Sequence, residues 1–290
     1  MQTPQWPFRA AEVLESGALT FRELRRFHEA IYPGVWIPRD ADLSPKQRAM
    51  AAWLWSRRRG VIAGLSAAAL LGAKWIEPDA PAELVHTNRR PPELIRVHSD
   101  LLLSGETHEL DGVPLTTAAR TAFDIGRRLP LTQGVQRIDA LMHATDVKVV
   151  DIQAVIAGHR GVRGLQQLTD TLRFVDAGAE SLYESRARLA LVQAGFPTPQ
   201  TQIPVYDDYG RVFARIDMGW PDYLVGVDFE GAHHWTDPGQ RAWDAERSVL
   251  IAERGWVDFR LAAATLHNRP RLFLDRVGAA LIDRGCPKTW

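Results

Sequence analysis

Alternating and helix-like patterns of hydrophobic residues divide the second half of the chain into seven predicted elements. The first is a helix that begins after Ser181, with Glu184 at capping-box spacing, and ends at Gly195. Alternation with period two then predicts three strands whose short connections favour an antiparallel meander. A helix follows, and then a strand that should run parallel to a member of the meander, because a helical connection returns the chain to the same end of the sheet. The strands are predicted at 201–206, 212–218, 223–229 and 256–261, and the later helices at 238–254 and 270–283.

The first half of the chain has a mostly helical pattern. Two short helices, at 10–16 and 20–30, precede a turn and a short strand that ends at Pro38, which is the order of a small winged helix. Two β-prone runs, at 83–87 and 94–98, resemble a hairpin. Further helices are predicted at 44–56, 66–71, 116–128, 131–144, 149–159 and 165–175.

A run of small residues after Asp176 marks the predicted domain boundary. We therefore expect a truncated winged-helix-like unit at 1–42, a mostly helical domain at 43–176 and an α/β domain at 177–290. The fold class is α/β in the broad sense, or α+β.

Composition and charge exclude several classes of protein. Hydrophobic residues make up 46% and charged residues 24%, as in globular proteins. The 35 basic and 35 acidic residues cancel, so nucleic-acid binding must use local patches. A single cysteine, Cys286, excludes an internal disulfide and a cysteine-rich zinc module. No run of apolar residues is long enough to span a membrane and no signal pattern begins the chain, so we expect a cytoplasmic protein.

Acidic residues gather where the second and third strands of the meander meet. Asp228 and Glu230 share one face of their strand, and Asp217 joins them if the register brings the strands together. Glu184, on the preceding helix, could reach the same pocket. Converging carboxylates repel one another unless a cation or a shared proton offsets the charge. Because oxygen ligands suit Mg²⁺ or Mn²⁺, the pattern predicts a divalent-metal site.

Several other side chains could support such a site or bind nucleic acid. His233 and His234 follow the third strand, and His234 is the better placed to move a proton. Gln240, Asp244 and Arg247 share a helical face, where Arg247 could pair with a carboxylate or a phosphate. Exposed arginines elsewhere could meet phosphates or only form a solvated surface. They are Arg22, Arg25 and Arg26 on the second helix and Arg89 and Arg90 in the loop between the β-prone runs.

Residues 180–285 resemble the endonuclease-like domain related to very-short-patch-repair enzymes, a group of the PD-(D/E)XK nuclease superfamily. The resemblance rests on IDMGWPDYLVGVDFEGAHHW at 216–235, on Asp244 and Arg247, and on GWVDFR at 255–260. It implies a restriction-endonuclease-like αβββαβα core that hydrolyses phosphodiester bonds in DNA with Mg²⁺ or Mn²⁺. Asp217 and Asp228 map to the metal ligands, and Glu230 stands where the wider superfamily places lysine.

In that interpretation the remaining acids have separate roles. Glu184 would hold a second metal or a water, and Glu230 would complete the site or act as a base. Without the lysine, metal-bound hydroxide and a histidine such as His234 must orient the attack.

Residues 10–175 resemble, more loosely, type IV abortive-infection antitoxins and related transcriptional regulators. The matching segments are PGVW at 33–36, LSAA at 65–68 with LG at 71–72, VHT at 85–87 and TAARTAFD at 117–124. This resemblance implies a module that binds DNA or a protein partner.

Two functions follow: a metal-dependent endodeoxyribonuclease in defence or repair, or a non-catalytic DNA-binding regulator or antitoxin. Hydrolysis of a small molecule is a third, supported only by the acids.

Overall fold

The chain forms two units, Met1–Leu172 and Arg173–Trp290. The computed structural model describes residues 5–88, 90–230 and 238–290, with side chains at all of these except 238–245. The segments predicted at 1–42 and 43–176 fall together in the first unit, apart from the last few residues of the second. None of the helices in these ranges combines the length and apolar character needed to cross a bilayer.

The first unit begins with a three-stranded antiparallel sheet and two short helices. The elements are β1 (Phe8–Arg9), α1 (Ala10–Glu15), α2 (Phe21–Phe27), β2 (His28–Tyr32) and β3 (Val35–Pro38), with strand order β1-β3-β2. Thr20 and Glu23 form the predicted capping box at the start of α2. Helix α2 ends at Phe27, earlier than predicted, because the following residues pair with β3.

A five-stranded mixed sheet and six helices follow in the described residues of the first unit. The elements are α3 (Pro45–Trp55), β4 (Val61–Ile62), α4 (Gly64–Leu70), β5 (Ala82–Val85), β6 (Ile95–His98), β7 (Thr107–Leu110), β8 (Val113–Thr116), α5 (Ala118–Arg128), α6 (Leu131–Ala144), α7 (Val149–Gly158) and α8 (Leu165–Leu172). The strand order is β6-β5-β4-β8-β7. The predicted hairpin is wrong, because β5 and β6 run parallel, with Ala82 opposite Ile95 and Val85 opposite His98.

Charged side chains are buried beneath this sheet. Arg120 is 1% exposed and donates to Asp124 at 3.1 Å and to Glu106 at 2.5 Å. His159 also contacts Glu106, at 2.6 Å. Arg120 pairs with both Glu106 and Asp124, and the network joins α5, the residue that follows α7 and the loop before β7. The segment 117–124, part of the antitoxin resemblance, therefore has a structural role in this chain.

The second unit contains the predicted helix, meander, crossover and closing helix. Its elements are α9 (Leu182–Gln193), β9 (Gln200–Tyr206), β10 (Val212–Trp220), β11 (Val225–Glu230), α10 (Pro238–Glu253), β12 (Val257–Ala262), α11 (Ala263–Asn268) and α12 (Pro270–Asp283). The sheet order is β12-β11-β10-β9. As predicted, β9, β10 and β11 are antiparallel neighbours, and β12 runs parallel to β11. The short helix α11 was not predicted.

Two apolar clusters lie among the described side chains of the second unit. One joins Met218 and Val227 to residues of α9 and α12, and the other joins Ile216 to Ile251 of α10. Although alternation predicts a shared face for Ile216 and Met218, the two side chains pack in different clusters.

Candidate active site

The ladder between β10 and β11 opens at Asp217. Backbone pairing covers only residues 218–220 with 225–227. Beyond it, the Asp217 N–H donates to Asp228 Oδ1 at 2.9 Å, and the Phe229 N–H donates to Asp217 Oδ2 at 2.7 Å. Two carboxylates thus accept bonds that backbone carbonyls accept in a regular sheet. This exchange fixes Asp217 and Asp228 beside each other at the opening.

Glu184 reaches this region from the first turn of α9. The Ser181 hydroxyl accepts the Glu184 N–H at 3.1 Å, which confirms the predicted N-cap. The carboxylate of Glu184 accepts the N–H of Glu180 at 2.8 Å, one residue earlier than the reciprocal bond of a capping box. Glu184 is 6% exposed, so its carboxylate is buried at this end of the helix.

The three acids influence one another electrostatically. Burial raises the pKa of Asp217 to about 7, with further contributions from the charges of Asp228 and Glu184. Burial also raises the pKa of Glu184, and the charges of Glu180 and Asp228 add to it, against hydrogen bonds from Glu180 and Ser181. Glu184, Asp217 and Asp228, which the sequence predicts to converge, therefore share one electrostatic environment.

Arg247 provides a positive charge to this cluster from α10. Its Nη1 donates to Asp228 Oδ2 at 2.6 Å, and its Nη2 donates to the carbonyl of Arg215. Burial opposes ionisation of Arg247, but the charges of Asp228, Asp258 and Asp217 raise its pKa. Both oxygens of Asp228 are consequently bonded, one to the Asp217 N–H and one to Arg247. Of the two partners predicted for Arg247, the structure shows the carboxylate.

Asp258 belongs to the same cluster and was missed in the sequence. It lies on β12 opposite Gly226, and its side chain is 9% exposed. Within the described part of the chain, its Oδ1 is buried without a hydrogen-bond partner. Burial raises the pKa of Asp258 to about 7, and the charge of Asp228 is the next cause. In the sequence, the signal for Asp258 was an aspartate inside an apolar strand. Only the pairing of β11 with β12 shows which residues Asp258 meets.

Glycine makes room for this arrangement. A Cβ at Gly226 would lie 2.9 Å from the side chain of Ile216 and 3.4 Å from Asp258 Oδ1. Glycine at 226 therefore leaves room for the side chain of Ile216, whereas the distance to Asp258 would be an ordinary contact.

The other predicted site residues are placed differently or fall outside the description. Glu230 is exposed at the end of β11. His233 and His234 lie at 231–237, outside the described residues. The side chains of Gln240 and Asp244 are not described either. Among the side chains that are described, no three His, Cys, Asp or Glu residues form a ready-made metal shell.

An aromatic pair stands beside the acids. The rings of Tyr183 and Phe229 stack with centroids 4.8 Å apart and planes at 4°. Tyr183 is 43% exposed, and the two residues directly precede Glu184 and follow Asp228 in the sequence. The pair therefore joins α9 to β11, the two elements that carry Glu184 and Asp228.

The arginines proposed to meet phosphates lie in the first unit, except for Arg247. Arg22, Arg25 and Arg26 are exposed on α2. Arg25 lies over the ring of Phe21 and Arg26 over that of Phe27, and both rings are more than half exposed. Arg90 is exposed in the loop between β5 and β6, whereas Arg89 is outside the described residues.

The fold and the cluster define a mixed α/β protein with buried carboxylates at an opened sheet. Two uncharacterized proteins of Mycobacterium tuberculosis, from strains CDC 1551 and H37Rv, are similar to it. Each is 25% identical over 256 residues, which cover 88% of this chain and 92% of the relative. No family model matches the chain, and no solved structure matches it.

Proposed function

We propose that the second unit is a metal-dependent endonuclease that hydrolyses phosphodiester bonds in DNA, built on a restriction-endonuclease-like core. One observation carries this proposal: Asp217 and Asp228 lie beside each other where β10 and β11 separate, and the charge of Glu184 acts on Asp217. The order and pairing of α9, the four strands, α10 and α12 agree with the αβββαβα arrangement that the sequence resemblance implies.

The donor set fits a hard divalent cation. Burial and the charge of Asp228 raise the pKa values of Asp217 and Glu184, and a bound cation would stabilise the ionised forms of both carboxyl groups. Asp217 and Asp228 would hold Mg²⁺ or Mn²⁺, and Glu184 a second ion or a water. The ion supplies a Lewis acid and lowers the pKa of a bound water.

Arg247 takes over part of the role that lysine has in the superfamily. Glu230 occupies the lysine position and is exposed, so no cation comes from that position of β11. Arg247 brings a guanidinium to the same carboxylates from α10, and a guanidinium can pair with a carboxylate or with the phosphate of a substrate. Glu230 would act from the rim, and His234 remains the proposed proton carrier.

A plasmid-nicking assay of the full chain tests the proposal. We expect nicking with Mg²⁺ or Mn²⁺ and a loss of at least about a hundredfold in Asp217→Asn, since general-base or metal-positioning groups contribute about that factor. Asp222→Asn is the matched control, because Asp222 is exposed in the turn between β10 and β11. Equal nicking by Asp217→Asn and the natural protein, or none in either metal, would refute the proposal.

A second function, a non-catalytic DNA-binding regulator or antitoxin, has its own support. The Arg247–Asp228 ion pair satisfies Asp228 without a metal, as a site retained for stability would. The exposed arginines and phenylalanines of α2 offer a surface for a nucleic-acid backbone.

Binding of labelled duplex in EDTA tests this alternative. Replacing Arg22, Arg25 and Arg26 together by glutamine should weaken binding and reduce its salt dependence. The same assay on the Asp217→Asn variant separates the two functions, because a regulator needs neither the metal nor that carboxylate.

A further inference from the structure

The first unit contains a polar cleft of about 650 Å³. The residues that line it are far in sequence from those of the acidic cluster. Its walls come from the ends of two parallel strands. His86, Thr87 and Asn88 follow β5, and Ser99 and Asp100 follow β6. Open sheets commonly bind ligands in the crevice beyond the carboxyl ends of neighbouring parallel strands. Arg59 closes the cleft from the segment before β4.

The acidic group in the cleft is already neutralised. Asp100 Oδ1 accepts from Arg127 Nη2 at 2.5 Å, and Oδ2 accepts from Arg128 Nη2 at 2.7 Å. Burial opposes ionisation, but Arg128 and Arg127 hold the pKa of Asp100 below its ordinary value. The carboxylate therefore presents little net negative charge to a ligand.

His86 presents a donor to the cleft. Its Nδ1 accepts the N–H of Asn88 at 3.0 Å, so in the neutral ring the proton resides on Nε2. Burial, and next the charge of Arg59, lower the pKa of His86 and favour the neutral ring. Trp55 packs near the imidazole, with ring centroids 6.3 Å apart. Nε2–H is thus a fixed donor, for which the described residues offer no acceptor.

The backbone holds Arg59 at the mouth of the cleft. The Ser56 hydroxyl accepts the N–H groups of Arg59 at 3.2 Å and Gly60 at 2.9 Å. Arg57 and Arg58 both have positive φ, at 57° and 60°, conformations that cost about 1 kcal/mol or more each for residues other than glycine. Arg59 itself is exposed and makes no ion pair with any described residue.

We propose that this cleft binds a phosphate-type oxyanion between the Arg59 guanidinium and the His86 Nε2–H. Both groups are N–H donors, and arginine suits phosphate because its donors match two oxygens at once. The hydroxyls of Thr87 and Ser99 line the same cleft and supply further donors. The phosphate belongs to the end of a nucleic acid or to a small phosphorylated molecule. Phosphate binding in this cleft does not require metal-dependent cleavage by the second unit.

Calorimetric titration of the full chain with inorganic phosphate, in EDTA, tests the site. We expect Arg59→Gln to weaken binding by at least about tenfold. Arg57→Gln is the matched control, because it removes the same charge from the same turn without lining the cleft. In the natural protein, phosphate should also shift the nitrogen NMR signal of His86 Nε2, a measurement that needs no variant. Equal affinities of the two variants, or no binding and an unmoved His86 signal, would overturn the proposal.

Short oligonucleotides with and without a terminal phosphate identify the source of the anion. If nucleic-acid ends are bound, the phosphorylated strand should bind at least about tenfold more tightly than inorganic phosphate. Of the two strands, only the phosphorylated one should lose affinity in Arg59→Gln. If small phosphorylated molecules are bound, the strand should gain nothing over inorganic phosphate. A strand that binds equally well with and without its phosphate, in both arginine variants, would contradict the site.

Discussion

The raised pKa of Asp217 makes the stability of the second unit depend on pH. The carboxyl has a pKa of about 7 in the folded chain, against the ordinary value of 3.8. A group with a raised folded pKa binds its proton more tightly in the folded state. Its stabilising contribution is therefore fully present below pH 3.8 and is lost as the pH rises through about 7.

The magnitude follows from the two pKa values. At about pH 5 the folded carboxyl is almost fully protonated and the unfolded one is mostly ionised, which contributes about 2.7 kcal/mol. At about pH 8 both are ionised and the contribution is close to zero. We expect Asp217→Asn to lack this loss, because its amide does not titrate and its carbonyl can still accept the Phe229 N–H.

Urea unfolding of the full chain in EDTA measures the effect. Fluorine NMR of fluorotryptophan at Trp220 reports on the second unit alone, because Trp220 is buried there and its indole donates to the carbonyl of Pro197. Between about pH 5 and about pH 8 the natural protein should lose about 2 to 3 kcal/mol more than Asp217→Asn. Parallel pH dependences would refute the reasoning. About 10 mM Mg²⁺ should restore stability at the higher pH only where Asp217 is intact, if the site binds the ion.

Three further substitutions test the cluster, the buried network and the aromatic pair. Arg247→Gln should destabilise the second unit by about 3 kcal/mol in the Trp220 assay, because it leaves Asp228 buried without its cation. Arg120→Gln should destabilise the first unit by about 3 kcal/mol, followed through fluorotryptophan at Trp53, because Glu106 loses its partner. If the acidic cluster binds DNA, Tyr183→Ala should weaken binding of single-stranded DNA by about 1 to 3 kcal/mol in a fluorescence titration, because a half-exposed ring can stack on a base.

Each of these substitutions has a matched control. Arg254→Gln removes an exposed ion pair at the residue that follows the helix of Arg247 and should cost less than about 1 kcal/mol. Arg96→Gln changes an exposed arginine of the first unit, and Tyr209→Ala removes a tyrosine that is 83% exposed in another loop. A control that changes as much as its test variant would contradict the role assigned to the corresponding residue.

Local signals were sufficient for most of the second unit. The N-cap at Ser181 and the stop at Gly195 predict α9, and the long apolar patterns predict the meander and the closing helix. The predicted bounds of the closing helix, 270–283, agree with the structure. In the first unit, β4, β7 and β8 were missed because strands of two to four residues are too short to show a period. The direction of β6 was also wrong, because pairing with β5 depends on the path of the loop between them.

The sequence by itself determined the acids that could form a site and the order of the elements that carry them. Alternation and the nuclease resemblance both point to Asp217 and Asp228, since those signals are local to one stretch of chain. Only the tertiary structure decided that Asp258 belongs with them, that Arg247 bonds to Asp228, and that Glu230 is exposed. These relations depend on the opening of β10 from β11 and on the parallel pairing of β12, and contacts between distant strands leave no periodic signal in the sequence.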